Sequence, residues 1–593
     1  MKSHRQHWTR RRVVKSVALA SLSTTSGLPW VDLAAAADVP RADTFIVTGQ
    51  PSGGSPTFSQ YNDFNVFRPS LDRRSSITHV LEALYYYNVL KDEMIPWLAT
   101  GFRYNDDFTA VTIDLRKGVT WSDGEAFDAD DVIFTLDMLK KNGQGKGDMF
   151  EAPAVARDVK ALVKVDDHTV RVELNKPDPR WFFTMLTVRF SNQGLHIVPE
   201  HVWRTADPNK LDTFTALDAS KPTWPVGSGA FRVVEMTPER IILDRRDDWW
   251  GIKTGFRPAP QMKRVIFVPF TTHDQAAQLI AKGEVDTILE AQVPMMKSLL
   301  RNANITTFSG NKPPFGNIDW WPTSVFFNHD DPQWQDVRIR RAVSLYIDRA
   351  QAVDYAYEGA AEISGLPYPA YPALVPYYTA MADTIKKLRI TDHDTKAADA
   401  LMREAGAVKD GQGFWTLKGK RMGGDLYHPG SLNAIGPILA EQLRRAGFEA
   451  ASNSRPGFRD AVYLGRAAWW AWGHGASVND PYQTLRLYHK VWYRPAGEAP
   501  LWPTRWRNDE FSAMVDQLQS LAPKDPQVQP LVVKALTLWL ENQVAAPICQ
   551  FYHRIPFNTT YWTGHPTVEN PYITPTFWHD TGYLVLHGMK KKA

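Results

Sequence analysis

Among 593 residues there is a single cysteine, Cys549. One thiol excludes an intrachain disulfide framework and any zinc site built on cysteine. It also leaves no cysteine near a processed start to carry a lipid, and its expected place is a small buried position. Long apolar runs are missing too. Val17 to Leu22 is weakly apolar and short, and no later stretch reaches the roughly 20 residues that a spanning helix needs. Enzyme motifs are equally scarce. "VGSGA" around Ser228 reads as a tight turn before a strand, without the Gly-x-Ser-x-Gly spacing of a nucleophile elbow. "GQGKG" (Gly143 to Gly147) lacks the preceding strand and the Lys-Ser/Thr pair of a phosphate loop. The 16 histidines form no zinc-helix motif: in "HIVPEH" (His196 to His201) the spacing is wrong and Pro199 prevents the helix. The carboxylate pairs of "VDDH" and "DRRDD" stand in turns, with no apolar setting to shift a pKa. The expectation is no catalytic site, no metal and no cofactor. No internal repeat and no low-complexity segment is present.

What is there begins with a basic leader. "TRRRVVK" (Thr9 to Lys15) pairs arginines with apolar positions, and "AAAAD" (Ala34 to Asp38) offers small residues where a peptidase could cut. Residues 1–37 therefore read as a secretory signal resembling the twin-arginine type, and the mature chain is expected in the periplasm, soluble and not lipid-anchored. Six basic residues against Asp32 give this leader +5. The whole chain is +4, so the remainder is −1. The basic balance belongs to the leader, and nucleic-acid binding loses its electrostatic warrant.

With 44% hydrophobic and 22% charged residues the mature chain is globular. Strands and helices mix without a strict βαβ rhythm. Thr44 to Thr48 reads as a strand, and Ile77 to Tyr87 has apolar residues at helical spacing. Hairpins are expected around Asn105-Asp106-Asp107 and around Asp166-Asp167. Asp128 is expected to cap a helix from Ala129, and Pro437 to Ala446 reads as a helix closed by Gly447. Helices also fit Gln275 to Lys282 and Val337 to Ile347, and the alternation after Asn328 is that of an α/β lobe.

Four segments together resemble one family. They are "IDLRKGVTWSDGEAFDADDVIFT" (Ile113 to Thr135), "VGSGAFRV" (Val226 to Val233), "AAQLIAKGEVD" (Ala276 to Asp286) and "DVRIRRAVSLYIDR" (Asp336 to Arg349). In this order they are similar to the extracellular solute-binding proteins, family 5, the oligopeptide, dipeptide, nickel and oligosaccharide receptors of ABC importers. The resemblance implies an α/β, two-lobed periplasmic binding protein fold, type II-like, with an extra subdomain and a hinge. It implies lobe one from 38–75, 201–328 and 546–593, the extra subdomain at 76–200, and lobe two at 329–545. It also implies a monomer that meets ABC-importer permease subunits and a small-molecule solute. The motifs themselves are structural and do not name the solute.

The 22 tryptophans point to a ligand wall, since an exposed indole is costly unless something covers it. "WWAWGHGASVNDPY" (Trp469 to Tyr482) lies beside the cleft in the family. As a strand it would put Trp470 and Trp472 on one face and Trp469 on the other. Trp469, Trp470 and Trp472 are candidate ligand contacts, with His474, Asn479 and Asp480 at a polar rim and Trp320 and Trp321 as a second wall. Asp480 could hold a peptide ammonium, or simply cap the turn at Pro481. The tryptophans favour an oligosaccharide over an oligopeptide. A periplasmic hydrolase is the competing class, and it would need a nucleophile–base or paired-carboxylate site that is not seen.

Overall fold

The computed structural model describes residues 38–49, 57–59, 61, 64–68, 77–144, 149–190, 193–217, 224–270, 272–473 and 475–593. Residues 1–37, where a signal segment is expected, and His474 lie outside the described residues. Residues 39–593 pack as one compact unit.

Three sheets place the site. In the first, Thr44–Gly49 runs parallel to Arg264–Pro269, which is antiparallel to Ile241–Arg245, itself antiparallel to Phe231–Met236. Every residue of Thr44–Gly49 and Arg264–Pro269 is buried, as strands covered on both faces must be.

The second sheet is an antiparallel set ordered Ala99–Tyr104, Ala110–Leu115, Thr169–Leu174, Val159–Asp166. Its two hairpins are those the sequence marks. Helix Ala129–Gly143 starts at Asp128, whose side chain accepts from the Asp130 amide, and Asp131 completes a capping box. Asp131 also accepts from Trp121 Nε1 at 3.1 Å and from the Glu200 amide at 2.8 Å, and burial pushes its carboxyl up to about 6. The conspicuous "WSDGEAFDADD" spacing is thus the wiring of one helix start to one turn.

The third sheet is ordered Glu449–Asn453, Gly423–Tyr427, Trp469–Gly473, Thr323–Phe327, Ala545–Cys549. Gly423–Tyr427 is parallel to both neighbours, while Thr323–Phe327 is antiparallel to both of its own. Cys549 is buried at the end of the last strand, and burial raises its thiol to about 12. Helix Gly436–Ala446 ends at Gly447, whose φ of 106° lies in the left-handed region.

The chain passes between the lobes on two short antiparallel strands, Asn317–Ile318 and Tyr552–His553. Beyond the second, Phe557–Asn558 pairs with Ile305–Thr306, returning the C-terminal segment to the first lobe. Two crossing strands make a hinge. Among the described residues no helix is long and apolar enough to cross a membrane.

One expected helix is not formed. From Ile77 to Tyr87 only Ile77–Val80 is helical, and Tyr85–Asn88 is a strand between Glu93–Pro96 and Thr187–Val188. Three successive tyrosines suit a pleated, covered surface, and the pairing available on both sides outweighs the helical spacing.

Candidate ligand-binding cleft

Strand Trp469–Gly473 is the centre of the third sheet, and alternation decides where its rings go. Trp469 is fully buried. It stacks on Trp334 at 4.9 Å between ring centres, and its Nε1 donates to the Gly424 carbonyl at 3.0 Å. That indole is held on the strand face opposite Trp470 and Trp472. Trp470 and Trp472 share the other face. Trp470 is also fully buried and lies 5.8 Å from Phe326, stacked. Trp472 is half-buried, stacked on Trp502 at 5.5 Å, with the Phe458 and Tyr463 rings edge-on and the Arg459 guanidinium 5.6 Å away.

Trp320 and Trp321 pack directly on the end of this strand. A Cβ at Gly473 would stand 1.2 Å from the Trp321 ring, and one at Gly475 would stand 2.0 Å from the Trp320 carbonyl. The glycines flanking His474 exist because the two segments touch there. Gly473→Ala is therefore expected to displace the Trp321 ring and cost about 1–3 kcal/mol of stability. A denaturant midpoint and tryptophan emission equal to those of the parent protein would contradict this.

Trp321 stacks on Phe551 at 4.6 Å, ring on ring across the crossing strands. Trp320 stacks at 5.5 Å on Phe190, in the expected extra subdomain, and Phe190 stacks in turn on Tyr371, in the expected second lobe, at 6.2 Å. Tyr87, Phe190, Tyr371, Trp470 and Trp502 belong to one apolar cluster, with Trp320 and Trp472 packed against it. These rings form one aromatic seam.

Asp480 is 2% exposed and is used twice. Its Oδ1 accepts from the Tyr482 amide at 2.8 Å, the turn-capping role that the following proline suggests. Its Oδ2 accepts from Nε of Arg180, which lies in the expected extra subdomain. Arg180 further donates to the Leu518 and Leu521 carbonyls at 2.9 and 2.6 Å, at the end of helix Asp509–Ser520, and lies 4.7 Å over the Tyr482 ring. Beside it Gln483 Nε2 donates to Thr184 Oγ1 at 3.2 Å. An incoming ammonium meets a carboxylate whose charge is already matched. Asn479 stands next to this pair, half-buried.

A second buried polar group lies at the hinge. Asp319, His553 and His579 are each less than 9% exposed. His553 Nε2 is 3.2 Å from Asp319 Oδ2 and its Nδ1 is 3.4 Å from Glu290 Oε2. Burial alone would lower the His553 imidazole, but Asp319 and Glu290 outweigh it and raise it to about 10. The Phe190 ring meets His579 edge-on at 4.8 Å, so this group adjoins the seam.

The structure thus brings Trp320, Trp321, Trp470 and Trp472 close together, puts Trp469 on the opposite strand face, and commits Asp480 to Arg180 and the Tyr482 amide. Arg180, Phe190, Tyr371, Asp319, His553 and His579 were not legible as partners, because they come from segments up to 300 residues apart. Hollows of about 300 and 340 Å³ elsewhere, lined by residues such as Asp399 and Gln442 or Arg341 and Lys387, do not touch the seam.

Bacterial extracellular solute-binding proteins, family 5 Middle, is the family whose model matches residues 93–492, more than half of the chain. The dipeptide-binding protein of Escherichia coli is 24% identical over 400 residues, covering 65% of this chain and 67% of that protein. A putative ABC transporter peptide-binding protein of Brucella ovis is 26% identical over 329 residues, 55% of this chain and 54% of that protein. The match thus spans about half the length of the Brucella relative. Among solved structures, a periplasmic oligopeptide-binding protein of Thermotoga maritima with bound mannohexaose has a TM-score of 0.76 at 22% identity, covering 93% of this chain and 99% of its own. The oligopeptide-binding protein AppA of Bacillus subtilis, in complex with a nonapeptide, has a TM-score of 0.69 at 17% identity, with 93% and 99% covered.

Proposed function

The chain belongs to the bacterial extracellular solute-binding proteins, family 5, and from that premise we propose that it is the periplasmic receptor of an ABC importer, capturing an oligopeptide between its lobes and passing it unchanged to a membrane permease. The observation that carries this reading is the seam itself. Flat rings from segments far apart in the chain (Phe190, Trp320, Tyr371) stack together, and a buried charge pair (Arg180, Asp480) joins residues 300 apart. A ligand that touches both lobes binds the closed form better than the open one, and that difference in affinity drives closure. Apolar walls with a few polar groups suit peptide side chains and main chain, and the sequence relatives are named for peptides.

The tryptophan surplus no longer argues for sugar. At least twelve of the 22 indoles are less than 2% exposed, so the core accounts for them. Asp480 is a poor ammonium anchor while Arg180 holds it, so recognition falls mainly to the rings and the main chain. An oligosaccharide remains the second reading, because Trp320, Trp321 and Trp472 are only half-buried and could offer faces to sugar rings; the Thermotoga protein of similar fold holds mannohexaose.

Tryptophan fluorescence of ligand-stripped protein, titrated with di- to pentapeptides and with cello- and manno-oligosaccharides, decides between them. The expected result is micromolar saturation by peptides alone, weakened at least about tenfold by Trp320→Ala, equivalent to 1.4 kcal/mol. Saturation by sugars alone selects the second reading. No saturation by either class, with unchanged scattering dimensions, overturns the receptor. Mass spectrometry showing a cleaved ligand selects the hydrolase.

A further inference from the structure

We propose that Asp319, His553 and His579 form a resident binding site for a divalent transition metal of the zinc class at the hinge between the lobes. One donor atom from each residue lies within 4.8 Å of the other two. Two imidazoles and a carboxylate are a donor set that suits zinc and its neighbours, with a fourth position left for water or another donor.

The geometry of the closest pair supports an ion over a hydrogen bond. His553 Nε2 and Asp319 Oδ2 are 3.2 Å apart, yet neither Asp319 oxygen has a partner in hydrogen-bond geometry, in a side chain with no exposed surface. A buried carboxylate is costly unless something positive faces it, a place that His553 or an ion standing between the two can fill. Ligands on a tetrahedral zinc, with arms of about 2.0–2.1 Å, stand roughly 3.3 Å apart. The first two ligands already have that separation, and the third needs to close by about 1.5 Å at most.

The outer contacts are those a metal site requires. A ligating histidine generally turns its other ring nitrogen to a carboxylate or another polar group, which fixes its tautomer. Here His553 Nδ1 faces Glu290 Oε2 at 3.4 Å, and His579 Nδ1 lies 2.6 Å from Thr576 Oγ1. The three ligands come from the residue that follows one crossing strand, from the other crossing strand and from the C-terminal segment, so the ion ties these three segments together. No local motif announces this site, because the ligands stand at 319, 553 and 579.

The test uses tag-free, chelator-treated protein without solute. Titrated with Co²⁺ as a visible probe and with Zn²⁺ in competition, the protein is expected to bind one ion per chain. Visible d–d bands should appear, with quenching of Trp578, whose ring centre is 4.8 Å from that of His553. His579→Ala and Asp319→Asn are expected to weaken binding more than about 100-fold, and His201→Ala, a histidine paired with Asp123 on the surface, is expected to leave it unchanged. Should the ligand variants fail to fold, Glu290→Gln and Thr576→Val carry the test, with an expected loss of about 10–100-fold. The proposal is overturned if the parent protein binds no Co²⁺ or Zn²⁺ at tenfold excess over micromolar protein. Affinity unchanged in His579→Ala, or in both outer variants, overturns it equally.

Discussion

Arg180→Ala is expected to destabilise the closed protein by about 3–5 kcal/mol, the cost of stranding one partner of a buried ion pair. The side chains of Arg180 and Asp480 are 4% and 3% exposed, so little solvent screens the loss. The variant also leaves the Leu518 and Leu521 carbonyls without their donor, where the dipole of helix Asp509–Ser520 favours a cation. The protein has an escape that a single-lobed core lacks. Opening at the hinge returns Asp480 to water, at the expense of the Phe190–Trp320 seam. The variant is therefore expected to populate the open form, seen as a larger radius of gyration in scattering without ligand, before it unfolds in denaturant. Arg180→Met with Asp480→Leu removes both charges and should recover most of the loss, because an apolar pair of similar volume has no desolvation cost. A single Arg180→Ala change that moves neither dimensions nor denaturant midpoint would show that the pair does not hold the lobes.

The same pair shows what the sequence could and could not convey. Asp480 before Pro481 was legible as a turn cap, and it is one. Its second partner lies 300 residues away and at the start of a different helix, where no local pattern marks it. The strand alternation of residues 469–473 was legible down to which ring shares a face with which, because a period of two is a property of the backbone. Which face meets the other lobe was not, since both faces of a central strand are covered and both carry tryptophan. Hairpins, caps and the α/β texture are written in neighbours and so could be read. Tyr85–Asn88 was misjudged because its strand pairing is supplied by residues 93–96 and 187–188. The hinge cluster is the extreme case, with every contributing residue ordinary in its own setting.

Glu82→Leu carries the other large effect, for the opposite reason: here the carboxylate leaves and the donors stay. Glu82 is wholly buried in the first lobe. Its Oε1 accepts from Trp97 Nε1 at 2.9 Å and Tyr583 Oη at 2.8 Å, and its Oε2 accepts from Trp250 Nε1 at 2.7 Å. Leucine orphans three buried donors at about 1–3 kcal/mol each, a total on the order of 3–9 kcal/mol. Burial pushes the Glu82 carboxyl up from 4.5 to about 7, against the pull of Trp97, Trp250, Tyr583 and Arg246. The sign follows from that direction. The folded state holds this proton more tightly than the unfolded chain, so the group's contribution is complete below pH 4.5 and is lost as pH rises through 7. The swing is roughly 3 kcal/mol, from about 1.4 kcal/mol per pH unit. Glu82→Gln separates the two effects. A protonated Oε2 keeps a lone pair for Trp250 Nε1, whereas an amide nitrogen has none to give. The amide should thus be less stable than the parent at pH 5 by one lost bond, about 1–3 kcal/mol, and the gap should close or reverse by pH 8, where the parent must bury a charge and the variant does not. Denaturant unfolding of both proteins at the two pH values measures this, and a gap independent of pH would mean that Glu82 keeps its charge throughout.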